Sequence, residues 1–199
     1  MRVVLIGASG TIGSAVGKLL AERHEIVPVG RKTGDIHADI TVPASLRELY
    51  ERVGACDAVI VTAGEARFGE MKDLDEEDFL FSLTHKLLGQ VNVVRLGLDA
   101  VQRGGSFTLT SGVLAREPTR GSSGISLVNA ALAGFARAAM LELEGRRINV
   151  VSPPWLSETL QALGRDPARG LPAATVARAY REAVEGRRNG EVIDARMFV

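Results

Sequence analysis

Apolar residues fall along this chain in two rhythms, short continuous runs and longer helical repeats, and the two alternate throughout. Arg2–Ile6 is a β-branched run suited to a parallel strand buried on both faces. It breaks at Gly7-Ala8-Ser9-Gly10-Thr11-Ile12-Gly13, after which Ala15, Val16, Leu19 and Leu20 recur at helical spacing. Glu25–Val29 reads as a second strand stopped by Gly30, and Ile36–Ala38 as a short third. Pro43 opens a helix through Leu46 and Leu49 to Val53, and Asp57–Val61 is a strand ending at Thr62-Ala63-Gly64. From Asp75, a helix N-cap, a long pattern runs through Phe79, Leu83, Leu87 and Val91 toward Val101. Gly104-Gly105 predicts a turn, Ser106–Thr110 a strand, Ser123–Leu143 a helix, and Ile148–Val151 a strand halted by Pro153-Pro154. A helix from Pro172 to near Gly186 and a strand at Glu191–Asp194 complete the series.

This alternation predicts a doubly wound α/β fold, a parallel sheet of about seven strands with helices on both faces. A length of 199 residues suits one domain over 1–199, with Gly164–Gly170 as its most flexible stretch. The formal net charge is zero, so no global field draws in nucleic acid or an anionic membrane. An aromatic content of 5% removes the stacking platforms of a single-strand binder. No apolar stretch approaches the roughly 20 residues that cross a bilayer, and the opening run reads as a strand rather than a signal sequence. Cys56, the one cysteine, cannot form an internal disulfide and reads as a small buried filler. A soluble, cytoplasmic protein is expected.

The first chemical signal is the glycine triplet Gly7, Gly10 and Gly13, placed where the first strand turns into the first helix. Small residues there, Ser9 among them, let backbone approach a pyrophosphate, and the unpaired amides of Thr11, Ile12 and Gly13 at the helix start point at it. The strand–turn–helix context predicts a dinucleotide-binding, Rossmann-type unit. An NAD site would carry an acid at the tip of the second strand. Here the strand ends Val29-Gly30-Arg31-Lys32-Thr33, and two cations favour NADP(H) over NAD(H), unless both are simply solvated loop charges.

With these residues in place, the sequence resembles the short-chain dehydrogenase/reductase superfamily over nearly its whole length. Gly7-Ala8-Ser9-Gly10-Thr11-Ile12-Gly13 looks like that family's cofactor loop, Asp39-Ile40 like the pair facing the adenine, and Thr62-Ala63-Gly64 like its Asn-Ala-Gly segment. Ser111 matches the catalytic serine. Ser152-Pro153-Pro154-Trp155-Leu156 resembles the segment that cradles the nicotinamide, which brings in Pro153 and Leu156. The family's Tyr-x-x-x-Lys pair, however, falls on Ile125 and Asn129, and the asparagine expected three residues before a glycine falls on Lys86. Tyr50 and Tyr180 lie in other helices, and neither precedes a lysine by four positions. One reading is an exchange of roles, with Asn129 bonding the nicotinamide ribose and Lys86 supplying the positive charge. The other makes Lys86 a surface lysine and Asn129 a satisfied helix polar.

The resemblance implies hydride exchange with a small carbonyl or alcohol substrate, using Ser111, Lys86 and Asn129. Losing a general acid lowers a rate by about 10²–10⁴-fold without abolishing catalysis by proximity. A lysine whose pKa is lowered by desolvation is a better donor than a bare serine. The competing reading is a cofactor-binding sensor or scaffold without turnover. An epimerase-like relative would need a larger C-terminal substrate region than the short loop around 155–171. His85, about 100° round the helix from Lys86, is expected at the surface. Trp155, Leu156, Leu160 and Leu163 suit an apolar pocket or ordinary core, and the Arg116–Arg120 loop either a pocket wall or solvated charges. The helix from Ile125 is apolar nearly all round, so one stripe needs a neighbour. The resemblance implies a homodimer or tetramer, the alternative being cover from the last helix alone.

Overall fold

The computed structural model describes residues 1–34 and 36–199. Seven strands form one all-parallel sheet: β1 (Arg2–Ile6), β2 (Glu25–Gly30), β3 (Ile36–His37), β4 (Cys56–Val61), β5 (Val101–Thr110), β6 (Arg147–Ser152) and β7 (Val192–Asp194). Their order is β3-β2-β1-β4-β5-β6-β7. Alternate side chains of each strand feed two separate cores, as a sheet buried on both faces requires. Val3 and Leu5 pack with α1 (Thr11–Leu20) and α7 (Ala173–Glu185). Val4 and Ile6 pack on the other face with α2 (Pro43–Val53), α4 (Gly89–Leu96) and α5 (Ser123–Ala139). This is the doubly wound, Rossmann-like architecture that the alternation predicted. Cys56 is buried within the second of these cores, and its burial pushes the thiol up to about 11.

Four elements depart from the sequence reading. The helix expected from Asp75 toward Val101 is instead a composite that stops at Leu96. Asp75 caps α3 (Glu76–Ser82) in a reciprocal box with Asp78, a π-helical turn spans Leu83–Leu88, and α4 follows. Apolar periodicity survives a one-residue slip of this kind, so a π turn is invisible in the pattern. Val101 belongs to β5, where it pairs with Cys56; the next pairing is Ser106 with Ala58. Residues 102–105 therefore bulge from the strand, so the expected Gly104-Gly105 turn is an interruption inside a longer β5. Finally, α5 ends at Ala139 rather than Leu143, and a short α6 (Ser157–Ala162) lies in the segment expected to be loop.

That segment is tied at its base. Leu156 bridges Leu171, the Ser157 amide donating to the Leu171 carbonyl at 2.9 Å and the Leu171 amide to the Trp155 carbonyl at 2.9 Å. The order of strands reverses at β1 and β4, and a crevice opens beyond their C-terminal ends, where open α/β sheets bind ligands.

Candidate active site

Gly7 turns the chain out of β1 with a φ of +88°, a left-handed backbone that side chains rarely adopt. A Cβ there would also lie 2.8 Å from Thr62 Oγ1. Gly13 is needed for another reason: its Cβ would sit 2.0 Å from the Gly7 carbonyl oxygen, so it lets α1 press against the turn. The Gly7 amide is already spent on the Val29 carbonyl at 2.8 Å, and the Gly10 amide on Gly7 at 3.0 Å. Gly10 caps α1 without a side chain, which leaves the first-turn amides available to an anion. Thr62 holds the crevice together, its hydroxyl within 3.1 Å of the carbonyl oxygens of both Ile6 and Gly7.

Two cavities follow. The first, about 240 Å³, brings together Gly7, Ser9, Gly10, Arg31, Asp39 and Ile40 with Thr62, Ala63 and Gly64. Thr11, Gly13 and Lys32 are not on its walls, and Lys32 is exposed. Burial pushes the Asp39 carboxyl up, but two hydrogen bonds from Thr41 (N–H at 2.9 Å, Oγ1 at 2.7 Å), with Arg31 and His85 beyond, hold it below the usual range. Arg31 spans the mouth toward Glu65 at 3.6 Å, an exposed pair that is worth little and easily exchanged for a ligand. His85 is not a surface residue as expected. It is half-buried, lines this cavity, and stacks on Phe81 at 3.9 Å between centroids. Phe81 and the π turn hold it against the crevice, and helical angle alone did not reveal either.

The second cavity, about 260 Å³, shares Thr62 and Gly64 with the first, so the two adjoin. Lys86, Ser111 and Asn129 all line it, as do Ile12, Ile125, Pro153 and Leu156. Lys86 is not the surface lysine of the alternative reading: it is 9% exposed, and burial pushes its ammonium down to about 8. Gly64 seats it, since a Cβ there would lie 3.1 Å from Lys86 Cγ. Asn129 is not fully satisfied either, its Oδ1 being buried without a partner. Ser111 lines the cavity and donates its hydroxyl to the Asn129 carbonyl at 3.0 Å.

The strand end that carries Ser111 is fixed from behind. Gln90, fully buried on α4, accepts from the Thr110 amide at 2.8 Å and donates to the Thr110 carbonyl at 2.9 Å. Its side chain thus replaces a ladder partner where β4 has ended. The Thr110 hydroxyl donates to the Val61 carbonyl at 2.5 Å, so the buried Tyr180 hydroxyl, 2.7 Å away, must donate to Thr110. Burial pushes the Tyr180 phenol upward. Tyr50 bonds the Val93 carbonyl at 2.7 Å. Neither tyrosine lines either cavity.

Phe68, Thr159, Val113 and Leu114 complete the second cavity. Sequence reasoning missed Phe68, an aromatic in an irregular loop with no periodic signal, although it lies 6.0 Å from Trp155 between ring centroids. Leu160 and Leu163 do not line the cavity; Leu160 is buried beneath α6 and Leu163 is exposed. The Arg116–Arg120 loop is not a wall of it: both arginines are exposed, and Arg120 pairs with Glu70 at 2.8 Å.

A Rossmann-like sheet, a glycine crossover with free amides and a serine at the end of β5 define a dehydrogenase/reductase of the short-chain type. The chain belongs to that superfamily: the family model described as enoyl-(acyl carrier protein) reductase matches residues 1–192. A crystal structure of a protein from Listeria innocua is 39% identical, with a TM-score of 0.93 and 98% of each chain covered. The crystal structure of a small-chain dehydrogenase in complex with NADPH is 28% identical, with a TM-score of 0.85, covering 98% of this chain and 95% of that one. Among curated relatives, the 3-oxoacyl-(acyl-carrier-protein) reductase of Bos taurus is 27% identical over 175 residues, 76% of this chain and 74% of that protein.

Proposed function

We propose that the chain is an NADP(H)-dependent oxidoreductase acting on a small carbonyl or alcohol substrate through Ser111, Lys86 and Asn129. One observation carries this reading: the glycine crevice adjoins, at Thr62 and Gly64, a cavity lined by those three side chains. The residues present suit a dinucleotide. The open amides of α1 and the Gly7–Gly10 cradle would take its pyrophosphate, Asp39 and Ile40 its adenine end, Arg31 a phosphate on the adenosine ribose, and Pro153 with Leu156 the nicotinamide end. When bound, the reduced nicotinamide supplies a hydride. The chain's own residues do the rest: Ser111, turning its hydroxyl from the Asn129 carbonyl, donates to the substrate's carbonyl oxygen and orients it, and the Lys86 ammonium gives that oxygen its proton and regains one from solvent. Asn129 offers a hydrogen-bonding amide where the family has lysine, and Ile125 stands in the place of its tyrosine.

NADPH complexed with a 28% identical relative supports the cofactor, and Arg31 at the cavity mouth supports the phosphorylated form. Titration with NADPH and NADH, followed by a carbonyl screen monitored by nicotinamide oxidation, tests both steps. A second reading, a sensor or scaffold without turnover, is favoured by the engaged Ser111 hydroxyl and the absence of a tyrosine at either described cavity; binding without turnover would establish it. We further propose a homodimer or tetramer. Leu127 and Leu141 on the outer stripe of α5 and beyond it are 47% and 79% exposed, so the last helix does not cover them. Light scattering showing a monomer would refute this.

A further inference from the structure

Lys86 is the one ionisable side chain among the described residues that line the second cavity, and it makes no hydrogen bond or ion pair there. The charged groups beside it and near Gly64, which seats it, are engaged elsewhere: His85 with Phe81, Glu65 with Arg31, and Arg67 with Asp78. A buried ammonium without a counter-ion is costly, and an entering anion removes that cost. Its apolar walls are Ile12, Leu114, Ile125 and the Phe68–Trp155 ring pair, and its polar walls, Ser111, Asn129 and Thr159, carry no charge. A neutral ketone would leave the charge unpaired, and a dianion would bring a second charge that no further cation in the lining meets.

We infer that this cavity takes small monoanionic α-keto acids with an apolar tail, Lys86 bridging the carboxylate and the adjacent carbonyl oxygen. An ammonium carries three N–H donors, enough to hold both oxygens at once. The tail then lies along the apolar wall toward Phe68 and Trp155, and the modest volume limits its size. The inference deepens the proposed carbonyl chemistry and rests on this cavity being the substrate chamber.

The test uses a matched pair of probes, α-ketoisocaproate and methyl isobutyl ketone, which share a skeleton and differ by the carboxylate. Trp155, the single tryptophan, lines the cavity and reports binding by fluorescence, with calorimetry as a second readout. Near pH 7 the keto acid should bind at least about tenfold more tightly than the ketone, the scale expected of a desolvated charge pair. In the wild-type chain that advantage should shrink as rising pH removes the Lys86 proton, and in K86M it should vanish. Equal binding of the two probes, no signal from either, or a K86M chain that keeps the preference would overturn the inference. The pH series on unaltered protein guards against a variant that fails to fold. A chain that binds the keto acid yet never oxidises NADPH would refute the redox reading and leave this one standing.

Discussion

Replacing Lys86 by methionine should make the protein more stable near pH 7 while removing its proposed acid. An unfolded lysine titrates near 10.5, whereas burial holds Lys86 at about 8. Between those values the unfolded chain binds more protons than the folded one, so stability rises with pH through that window. Below about pH 8 both states are protonated and the folded state carries the full penalty. At 1.36 kcal/mol per pH unit, that penalty is about 3 kcal/mol, a ceiling because the side chain reaches into an open cavity. Methionine has similar bulk and no charge, so K86M should gain up to this amount, or roughly 6–12 °C in Tm for a chain of this size. Urea denaturation of wild type and K86M without cofactor, near pH 7 and again near pH 10, measures it. The difference between the two proteins should be largest near pH 7, fall to about a quarter of that near pH 10, and close only above the unfolded value of 10.5. A variant no more stable than wild type near pH 7, or a gap indifferent to pH, would refute the account of Lys86 as a buried, unpaired ammonium.

The same substitution should lower carbonyl reduction by about 10²–10⁴-fold while NADPH affinity stays within a few fold, and wild-type kcat/KM should fall as pH rises past about 8. Steady-state kinetics against direct titration separates the two effects. Arg31→Ala should weaken NADPH binding by roughly tenfold to a hundredfold, the worth of a charged hydrogen bond, and leave NADH unchanged; equal losses for both nucleotides would remove Arg31 from the phosphate site. Gln90→Leu strands the Thr110 amide and carbonyl in a buried position, so about 2–4 kcal/mol should be lost from the denaturant-unfolding free energy.

Much of the architecture was legible because a parallel sheet buried on both faces writes itself as short β-branched runs. The glycine cradle was legible for a similar reason, since each glycine answers a steric demand that the chain order exposes. The features that escaped the pattern depend on tertiary contact. Pairing of Val101 with Cys56 across a bulge extends β5 backward, and nothing local in Val101–Gly105 announces it. The π turn preserves a plausible helical stripe, so the break between α3 and α4 and the inward set of His85 went unread. Lys86 was picked out from its distance to Gly89, but its burial depends on Gly64, far away in sequence. Gln90 gave no signal at all, because a glutamine acting as a strand partner looks like any helix polar.

The turn at Leu83–Leu88 also makes residue count in this stretch a chemical specification. A π turn holds one residue more than the α turn it replaces, so losing a single codon here would let the rod wind regularly with no backbone penalty. The flanking turns would then keep their rotation about the rod's axis, and the residues inside the turn would change the faces they present. Ser82, which accepts from the Arg67 amide, and Phe81, which lies beneath the Arg67 guanidinium, would stay against that loop, while His85 and Lys86 would be re-aimed. Losing one amino acid would thus leave a well-wound helix that no longer aims His85 and Lys86 into their two neighbouring chambers.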